Sequence, residues 1–259
     1  MSKRLWTITG LCGLVLLTVC AAQGSAQMPE VKSKPAMLTY VANWQFPRSS
    51  WPDVEKAGAA LDPVMQKAMA DGTIVGHGTD RNLVHQVDGE THDDWWSAMS
   101  MAGLVKVLDQ ISASGAGTSS TMDSATKHWD DIFVSHYYNW KAGDYKDAYT
   151  HVSAYKLKAD APDNAIEMLS EHLIAPLLEQ QLANGTIIEY EIDTMAIHTR
   201  APGTFWIVYL TPTPEGLDTV QAAIRESQKA HPLGIEAFGD MTDDSGHRDE
   251  LLKGEGTYK

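Results

Sequence analysis

An internal repeat constrains this chain more than any other feature of its sequence. The segment Asp71-Gly72-Thr73-Ile74 returns as Asn184-Gly185-Thr186-Ile187, with each residue at the earlier number plus 113. At this fixed offset, positions 63–111 match positions 176–224 without a gap at twelve residues, among them the pairs Asp80/Asp193, His85/His198 and Thr91/Thr204. Self-similarity at a fixed offset indicates that one structural unit is used twice. The sequence therefore predicts a tandem duplication.

The residue patterns predict the elements of each copy. In the first copy, branched and aromatic residues predict strands over 37–44, 73–87 and 93–99. Helical patterns predict helices over 53–70, broken at Pro63, and over 101–113, and Asp88-Gly89 predicts a hairpin turn. In the second copy we expect a strand over 132–140, a two-part helical region over 145–182, a strand over 205–210, a helix over 215–230 and a closing strand over 233–241.

The boundary between the copies is expected in the Gly/Ser/Thr-rich segment 112–124, which is typical of a linker. Asn139-Trp140 resembles Asn43-Trp44 and suggests that both copies open with an equivalent strand. These features predict a first repeat over 36–126 and a second over 127–259.

Each half is thus expected to have the order β-α-β-β-α-β, an antiparallel sheet covered by helices on one face. On this element order and duplication, the chain resembles the dimeric α+β barrel superfamily, with two ferredoxin-like repeats forming an intramolecular α+β barrel. The resemblance implies a pocket between sheet and helices or inside the barrel. Members include monooxygenases, haem-dependent enzymes, small-molecule isomerases and proteins with no assigned role. No signature motif carries a catalytic residue across, and fold alone does not fix function.

The first 26 residues are typical of a secretory signal. Lys3 and Arg4 precede an apolar stretch over 11–19, and small residues follow at 24–26. We therefore expect cleavage near Ala26, a flexible arm over 27–35, and a periplasmic or secreted protein. Lipid anchoring at Cys20 is the less favoured alternative, and the apolar stretch is too short to span a membrane.

Composition excludes several classes of function. Both cysteines, Cys12 and Cys20, lie in the predicted signal, so the remaining chain has no thiol for a disulfide, a metal site or a nucleophile. The formal net charge of −14 repels nucleic acid. No G-x-S-x-G, phosphate-binding glycine loop, H-E-x-x-H or C-x-x-C-H motif occurs. We expect no metal and no nucleic-acid partner, while monomer and homo-oligomer both stay open.

Alternate residues of the repeated strand bring polar side chains to one face. If the strand is regular, His77, Arg81 and His85 share a face of the first copy, and Tyr190 and His198 the equivalent face of the second. Apolar residues with a few polar groups are typical of a ligand pocket. His85 and His198 are therefore candidate catalytic residues, and His77, Arg81, Tyr190 and Trp96 candidate ligand-binding residues. Alternatively, each histidine only bonds a backbone carbonyl at a strand end, and a bulge at Gly76 or Gly78 would change the faces.

Two other histidine clusters favour structural roles. The pairs His128/Asp130 and His247/Asp249 repeat, but two ligands per half are too few for a metal. His92-Asp93-Asp94, followed by Trp95, could form a metal or sugar site, yet its place beside a turn favours core packing.

Two functions remain. The favoured one is an exported small-molecule binding or interaction protein of unknown ligand. The alternative is a small-molecule enzyme that uses His85 or His198 for cofactor-free proton transfer or oxygenation, or that holds a non-covalent haem. The cofactor stays unknown between none and non-covalent haem.

Overall fold

Eight antiparallel strands form a closed barrel in the computed structural model, which describes residues 30–200 and 202–259, without the side chain of Glu55. The predicted signal peptide, Cys20 and residues 27–29 of the predicted arm lie outside the described residues. The strands are β1 (Met37–Gln45), β2 (Gly76–Asn82), β3 (His92–Ala98), β4 (Lys127–Trp140), β5 (Gly143–Leu157), β6 (Glu189–Met195), β7 (Thr204–Thr211) and β8 (Thr242–Tyr258).

Helices cover the outer surface of the barrel. They are α1 (Trp51–Gly58), α2 (Asp62–Ala70), α3 (Met101–Ser114), α4 (Ala165–Leu169), α5 (Ala175–Asn184), α6 (Pro214–Ala230) and α7 (Pro232–Met241). A π-helical turn, Ser170–Ile174, joins α4 to α5. Ser100 caps α3 by accepting a hydrogen bond from the Gly103 amide, and Gly185 ends α5 with a left-handed φ of 78°. Within the described ranges, none of the helices has the length and apolar character needed to cross a membrane.

The strands follow the order β1-β3-β2-β8-β5-β7-β6-β4 around the barrel. Two seams, β2–β8 and β6–β4, divide it into sheets of the same order, β4-β1-β3-β2 and β8-β5-β7-β6. The register repeats as well. Asp80 lies opposite Asp93, and Asp193 lies opposite Trp206, each 113 residues later. Across β1–β4, Val41 lies opposite Asp131, and across β5–β8, Val152 lies opposite Glu250. The two halves of this α+β barrel therefore share strand order and register.

The apolar core lies between barrel and helices because the outward-facing strand residues are the apolar ones. Under α2 and α3, Trp96 stacks on Tyr40 with ring centroids 4.3 Å apart. Under α5 and α6, Tyr190 and Phe205 are fully buried. The inward-facing residues are mostly polar, so the barrel interior is not a conventional hydrophobic core.

Several predicted elements are confirmed: the strand over 37–44, the helix over 101–113 and the break at Pro63, which lies in the first turn of α2. No bulge occurs at Gly76 or Gly78, since the β2–β3 register is continuous. The glycine at 78 instead allows close approach, because a Cβ there would lie 2.2 Å from the Glu255 carbonyl oxygen.

Other assignments are wrong. The helix expected over 145–157 is β5, because Ala148 and Thr150 face the barrel interior while Tyr155 packs outside. The strand expected over 233–241 is α7, because Phe238 and Met241, three residues apart, pack together on the core beneath the helix. The closing strand is β8, whose charged sequence hides its strand character.

The predicted strand over 73–87 is too long, because β2 ends at Asn82 and an irregular loop spans 83–91. The proposed equivalence of Asn43-Trp44 with Asn139-Trp140 is also wrong. Trp140 ends β4, whereas the register that matches Val41 to Val152 matches Trp44 to Tyr155 on β5.

Candidate functional site

Two cavities lie on opposite faces of the sheet formed by β1, β2 and β3. The barrel cavity, about 150 Å³, is inside the barrel. The outer cavity, about 350 Å³, lies between the outer face of these strands with β8 and helix α1. The cavities are therefore separated by the sheet itself.

Carboxyl groups dominate the wall of the barrel cavity. Eight line it: Asp80, Glu90, Asp93, Asp131, Glu189, Glu191, Asp193 and Glu250. Arg200 is the one basic residue that lines it among the described residues, and its Nη2 lies 2.6 Å from Asp131 Oδ2. The rest of the wall is mainly apolar, with Phe133, Trp206 and Leu252 among its members. This interior has far more negative than positive groups.

Some of these carboxyl groups have donors. Asp131 receives hydrogen bonds from Arg200, from Thr199 Oγ1 at 3.0 Å and from Asn43 Nδ2 at 3.3 Å. Asp80 accepts hydrogen bonds from Thr150 Oγ1 at 3.0 Å and from Trp95 Nε1 at 3.1 Å. Hydroxyl and indole donors thus hold these two side chains in place.

Two other carboxyl oxygens have no partner. Glu189 Oε1 and Asp193 Oδ1 are buried and make no hydrogen bond with any described residue. Their residues are only 3% and 4% exposed. A buried polar atom without a partner costs about 1–3 kcal/mol. These atoms therefore mark a place in the barrel cavity where a bound group would supply missing hydrogen bonds.

Burial makes these acids hard to ionise. It raises the pKa of Asp80 to about 6, against the opposing hydrogen bonds from Thr150 and Trp95, and the pKa of Glu191 to about 7. Burial, with the neighbouring acid Glu90 as a further cause, raises the pKa of Glu250 to about 8. For Glu189, burial and the charge of Glu191 raise the pKa well above its usual range. Protonated and ionised carboxyl groups therefore coexist in this interior near neutral pH.

His92 is the central polar residue of the outer cavity. The Thr91 hydroxyl accepts from the Phe46 amide at 3.0 Å and donates to the Trp44 carbonyl at 3.3 Å. With the hydroxyl hydrogen on the Trp44 carbonyl, His92 Nδ1, 3.0 Å from the hydroxyl oxygen, donates to it, and Nε2 is unprotonated in this tautomer. Nε2 is buried and without a partner among the described residues. Burial, and then the charge of Arg81, lower the pKa of His92 to about 4, so the ring is neutral at physiological pH.

Two further groups of the outer cavity lack partners. The Arg81 guanidinium lines it and forms no ion pair or side-chain hydrogen bond within the described residues. Trp44 Nε1 is buried near the Asp94 carboxyl without completing a hydrogen bond to it, and burial raises the pKa of Asp94 to about 6. The outer cavity thus offers an unpaired acceptor, an unpaired donor and a cation.

The structure separates the residues predicted to form a site. His85 and His198 lie in exposed loops after β2 and β6, and neither lines a cavity described above. The shared strand face expected for them is wrong, because β2 and β6 end at Asn82 and Met195. The His85 ring instead meets the edge of Trp51, with centroids 5.0 Å apart.

The predicted ligand-binding residues also lie in different places. Arg81 lines the outer cavity. Trp96 and Tyr190 are core residues, and the Tyr190 hydroxyl donates to Glu179 Oε1 at 2.8 Å. His77 is half-buried on the same face of β2 as Arg81, but it does not line the cavity. The structure thus joins Arg81 to His92 and Trp44.

The acids of β6 are not among the residues predicted from the sequence, although a signal exists. Glu189, Glu191 and Asp193 alternate with Tyr190 and Ile192, and this alternation predicts a strand with one polar face. It does not reveal that the polar face is enclosed, because closure of the barrel depends on strand pairs distant in sequence.

The repeated His-x-Asp pairs agree with the predicted structural role. His128 Nδ1 lies 3.0 Å from the Asn43 carbonyl and Nε2 lies 3.3 Å from Asp130. His247 makes the same pair of contacts, 3.1 Å from the Ala154 carbonyl and 3.3 Å from Asp249. Each histidine therefore bonds the fourth strand of its sheet to the first.

A histidine-ligated haem does not fit these residues. Such a ligand needs an accessible ring nitrogen beside a cavity. His85 and His198 are not at either cavity, and the rings of Phe46 and Trp51 lie edge-on to the His92 imidazole, where the plane of a porphyrin would have to fit. No step through haem is derived.

The fold is that of an α+β barrel protein, with eight antiparallel strands closed into a barrel and helices on the outer surface. No family model and no curated protein matches the sequence. A putative monooxygenase from Lactobacillus acidophilus NCFM is similar in structure, with 11% identity, 85% of this chain and 94% of that chain covered, and a TM-score of 0.60. A putative monooxygenase from Fusobacterium nucleatum has 9% identity, coverage of 87% and 95%, and a TM-score of 0.59. An anthrone oxidase-like protein has 8% identity, coverage of 86% and 93%, and a TM-score of 0.51. Identities this low establish the shared fold alone.

Proposed function

We propose that this protein binds a small molecule in the outer cavity. The observation that carries the proposal is the set of three unpaired polar groups around one cavity of about 350 Å³: His92 Nε2, Trp44 Nε1 and the Arg81 guanidinium. Ligand sites are concave, largely apolar and equipped with a few converging polar groups. The outer cavity is concave and has converging polar groups beside the apolar side chains of Trp44, Phe46, Val54 and Met122, and its lining also includes the acids Asp62, Asp80, Asp93, Asp94, Asp147 and Glu255.

The polar groups select the chemistry of the ligand. Arg81 suits a carboxylate or another oxygen anion, because a guanidinium pairs with such groups through two hydrogen bonds. His92 Nε2, which is unprotonated, accepts a hydrogen bond from a ligand hydroxyl or amine. The rings of Trp44 and Phe46 favour an aromatic or apolar body. We infer a small aromatic acid with a hydroxyl group as the ligand class.

Monooxygenation in the same cavity is a second candidate, because two proteins of the same fold are putative monooxygenases. An enzyme of this kind without a cofactor would need a base near neutral pKa to take a proton from its substrate. The pKa of His92 is about 4, which makes the ring a weak base and a good hydrogen-bond acceptor. Binding is therefore the function that the residues support better.

We further infer that the chain is a tandem duplication of ferredoxin-like units, exported as a soluble protein. The repeated strand order and register support the duplication. Because β4 pairs with β1 inside the first sheet, we place the boundary between units at 141–142, instead of the predicted 126–127. Export rests on the sequence of residues 1–26.

The binding proposal is tested with salicylate and a panel of hydroxybenzoates, by thermal shift and calorimetry. We expect Arg81→Ala to weaken binding by about 10–100-fold, since a hydrogen-bonded charge contributes about 1.5–3 kcal/mol. Thr194→Ala is the matched control, because Thr194 occupies the same place in the second half. Equal binding by Arg81→Ala and the parent protein would exclude the outer cavity, and oxygen consumption with the bound compound would favour the enzyme.

A further inference from the structure

The barrel cavity has an excess of negative groups that its own residues do not balance. Eight carboxyl groups line it, whereas the Arg200 guanidinium is the single basic group there among the described residues. Arg200 is already paired with Asp131. Charged groups inside proteins are normally paired or neutralised by proton uptake.

An acidic interior is not by itself a binding site, but unpartnered atoms point to a bound group. Glu189 Oε1 and Asp193 Oδ1 lie in this cavity, are almost wholly buried, and have no hydrogen-bond partner in the described parts of the chain. Neighbouring Glu191 Oε2, by contrast, receives the Thr39 hydroxyl at 2.9 Å. In their ionised form Glu189 and Asp193 offer acceptor positions at these oxygens, and a donor group completes them.

The arrangement does not suit a bare metal ion. Directly bound divalent cations need several ligand atoms that converge on one point. Across the described residues, three possible ligand atoms come within 4.8 Å of one another only in the exposed group Glu30, Glu171 and His172. The acids of the barrel are too spread out to meet that condition, and they alternate with an apolar wall that includes Trp206 and Leu210.

We propose that the barrel cavity binds a small primary ammonium compound, with its charged nitrogen at Glu189 and neighbouring Glu191 and its hydrocarbon body against the apolar wall. One N–H donor of the ammonium group completes the unpartnered Glu189 Oε1. Aromatic rings such as Trp206 add a favourable surface for a cation. The cavity of about 150 Å³ limits the compound, because a space of that size holds a molecule comparable to benzene.

We expect access to the cavity at Arg200. This residue lines the cavity, yet its side chain is 45% exposed, so it is the part of the wall that separates the cavity from the protein surface. The proposal concerns a second site, separated from the outer cavity by the sheet, and it stands whether or not the outer cavity binds an aromatic acid.

The test uses n-pentylammonium, with 1-pentanol as the neutral compound of similar size and Ca²⁺ and Mg²⁺ alone as metal probes. At pH 7.5 we expect n-pentylammonium to raise the melting temperature in a saturable way and 1-pentanol to leave it unchanged. Glu189→Gln should weaken binding of n-pentylammonium at least about tenfold, the size expected for loss of one charged hydrogen bond. Glu226→Gln, on the exposed face of α6, should bind as the parent protein does.

Calorimetry of the parent protein in two buffers of different ionisation enthalpy provides a test independent of folding of the Glu189→Gln variant. An ammonium ion favours ionised carboxyl groups, so binding should release protons from the shared carboxyl groups. An equal effect of 1-pentanol, unchanged affinity of Glu189→Gln, no proton release, or stabilisation by Ca²⁺ or Mg²⁺ but not by n-pentylammonium would each overturn the proposal.

Discussion

The two halves of the barrel share register but differ at matched positions on both faces. On the outer face, Arg81 and His92 of the first half match Thr194 and Phe205 of the second. On the inner face, Gly76 and Gly78 match Glu189 and Glu191. The first half thus carries most of the outer cavity, whereas β6 of the second half carries three acids at places where β2 has two glycines and Asp80, although each half supplies four of the eight acids in the barrel cavity. One scaffold has placed two different cavities on its two faces.

The difference has a packing cause. In the second half, Phe205 packs against Tyr155 and against Phe238 of α7, with centroids 5.6 and 6.5 Å apart, and these rings fill the outer layer. The first half has the loop and short turn of 115–126 where α7 would be, and the rings that meet His92 edge-on are instead those of Phe46 and Trp51. On the inner face, Gly78 leaves space that the Trp95 indole occupies.

The largest expected effect comes from Gly78→Ala, which adds a side chain where the second half has Glu191. The new Cβ would lie 2.2 Å from the Glu255 carbonyl oxygen and 2.6 Å from the Trp95 ring, so backbone must move. We expect a loss of about 3 kcal/mol in the free energy of unfolding, measured with urea. Gly239→Ala in α7 is the control, because no atom lies within 4 Å of its Cβ. Equal stability of Gly78→Ala and the parent protein would show that the two inner faces are interchangeable.

Exchanging the matched residues His92 and Phe205 tests whether the outer layers of the two halves differ in packing. Phe205→His places a polar ring in a fully buried apolar core and should cost about 2–3 kcal/mol of stability. His92→Phe removes an unpartnered buried nitrogen and should stabilise the protein by about 1 kcal/mol while abolishing aromatic-acid binding. Urea denaturation and calorimetry measure both effects. If the two variants changed stability alike, the outer layers would not differ as described.

Stability should fall as pH rises because of the acids contributed by the second half. The pKa of Glu191 rises from 4.5 to about 7 on folding, so the folded protein binds more protons than the unfolded chain between these values. The stabilisation is complete below about pH 4.5 and is lost as pH approaches 7 and above. Glu191→Gln cannot ionise and should reduce the stability difference between pH 5 and pH 8 by about 1–3 kcal/mol. Urea midpoints at both pH values measure it, with Glu226→Gln as the exposed control.

The smallest expected effect concerns the histidine–aspartate pairs that the two halves share. His128→Leu and His247→Leu each remove one hydrogen bond to a backbone carbonyl and one contact with an aspartate from a half-exposed ring, and each should lower stability by about 0.5–1 kcal/mol. Thermal unfolding of the two variants should give matching losses. A cost confined to one half would mean that only one of the two pairs supports the barrel.

The sequence alone predicted the α+β barrel architecture and the elements with clear alternation or capping signals, such as β1 and α3. It failed for β5 and β8, because their inward faces are polar and their pattern departs from the usual apolar–polar alternation. Arg81 was found because it lies on a regular strand. The position of His92 in the outer cavity was not predicted, because its buried, unpaired Nε2 and low pKa depend on Thr91 and on burial, which local sequence does not specify.

The seams β2–β8 and β6–β4 close the barrel within one polypeptide. In a barrel assembled from two identical subunits, each substitution is made twice, and every gain on one side must be tolerated on the other. Covalent linkage removes that condition, so a residue such as His92 can change while its counterpart Phe205 keeps its packing role. The fused chain therefore has twice as many independently variable positions around its cavities, and asymmetry becomes accessible through single mutations.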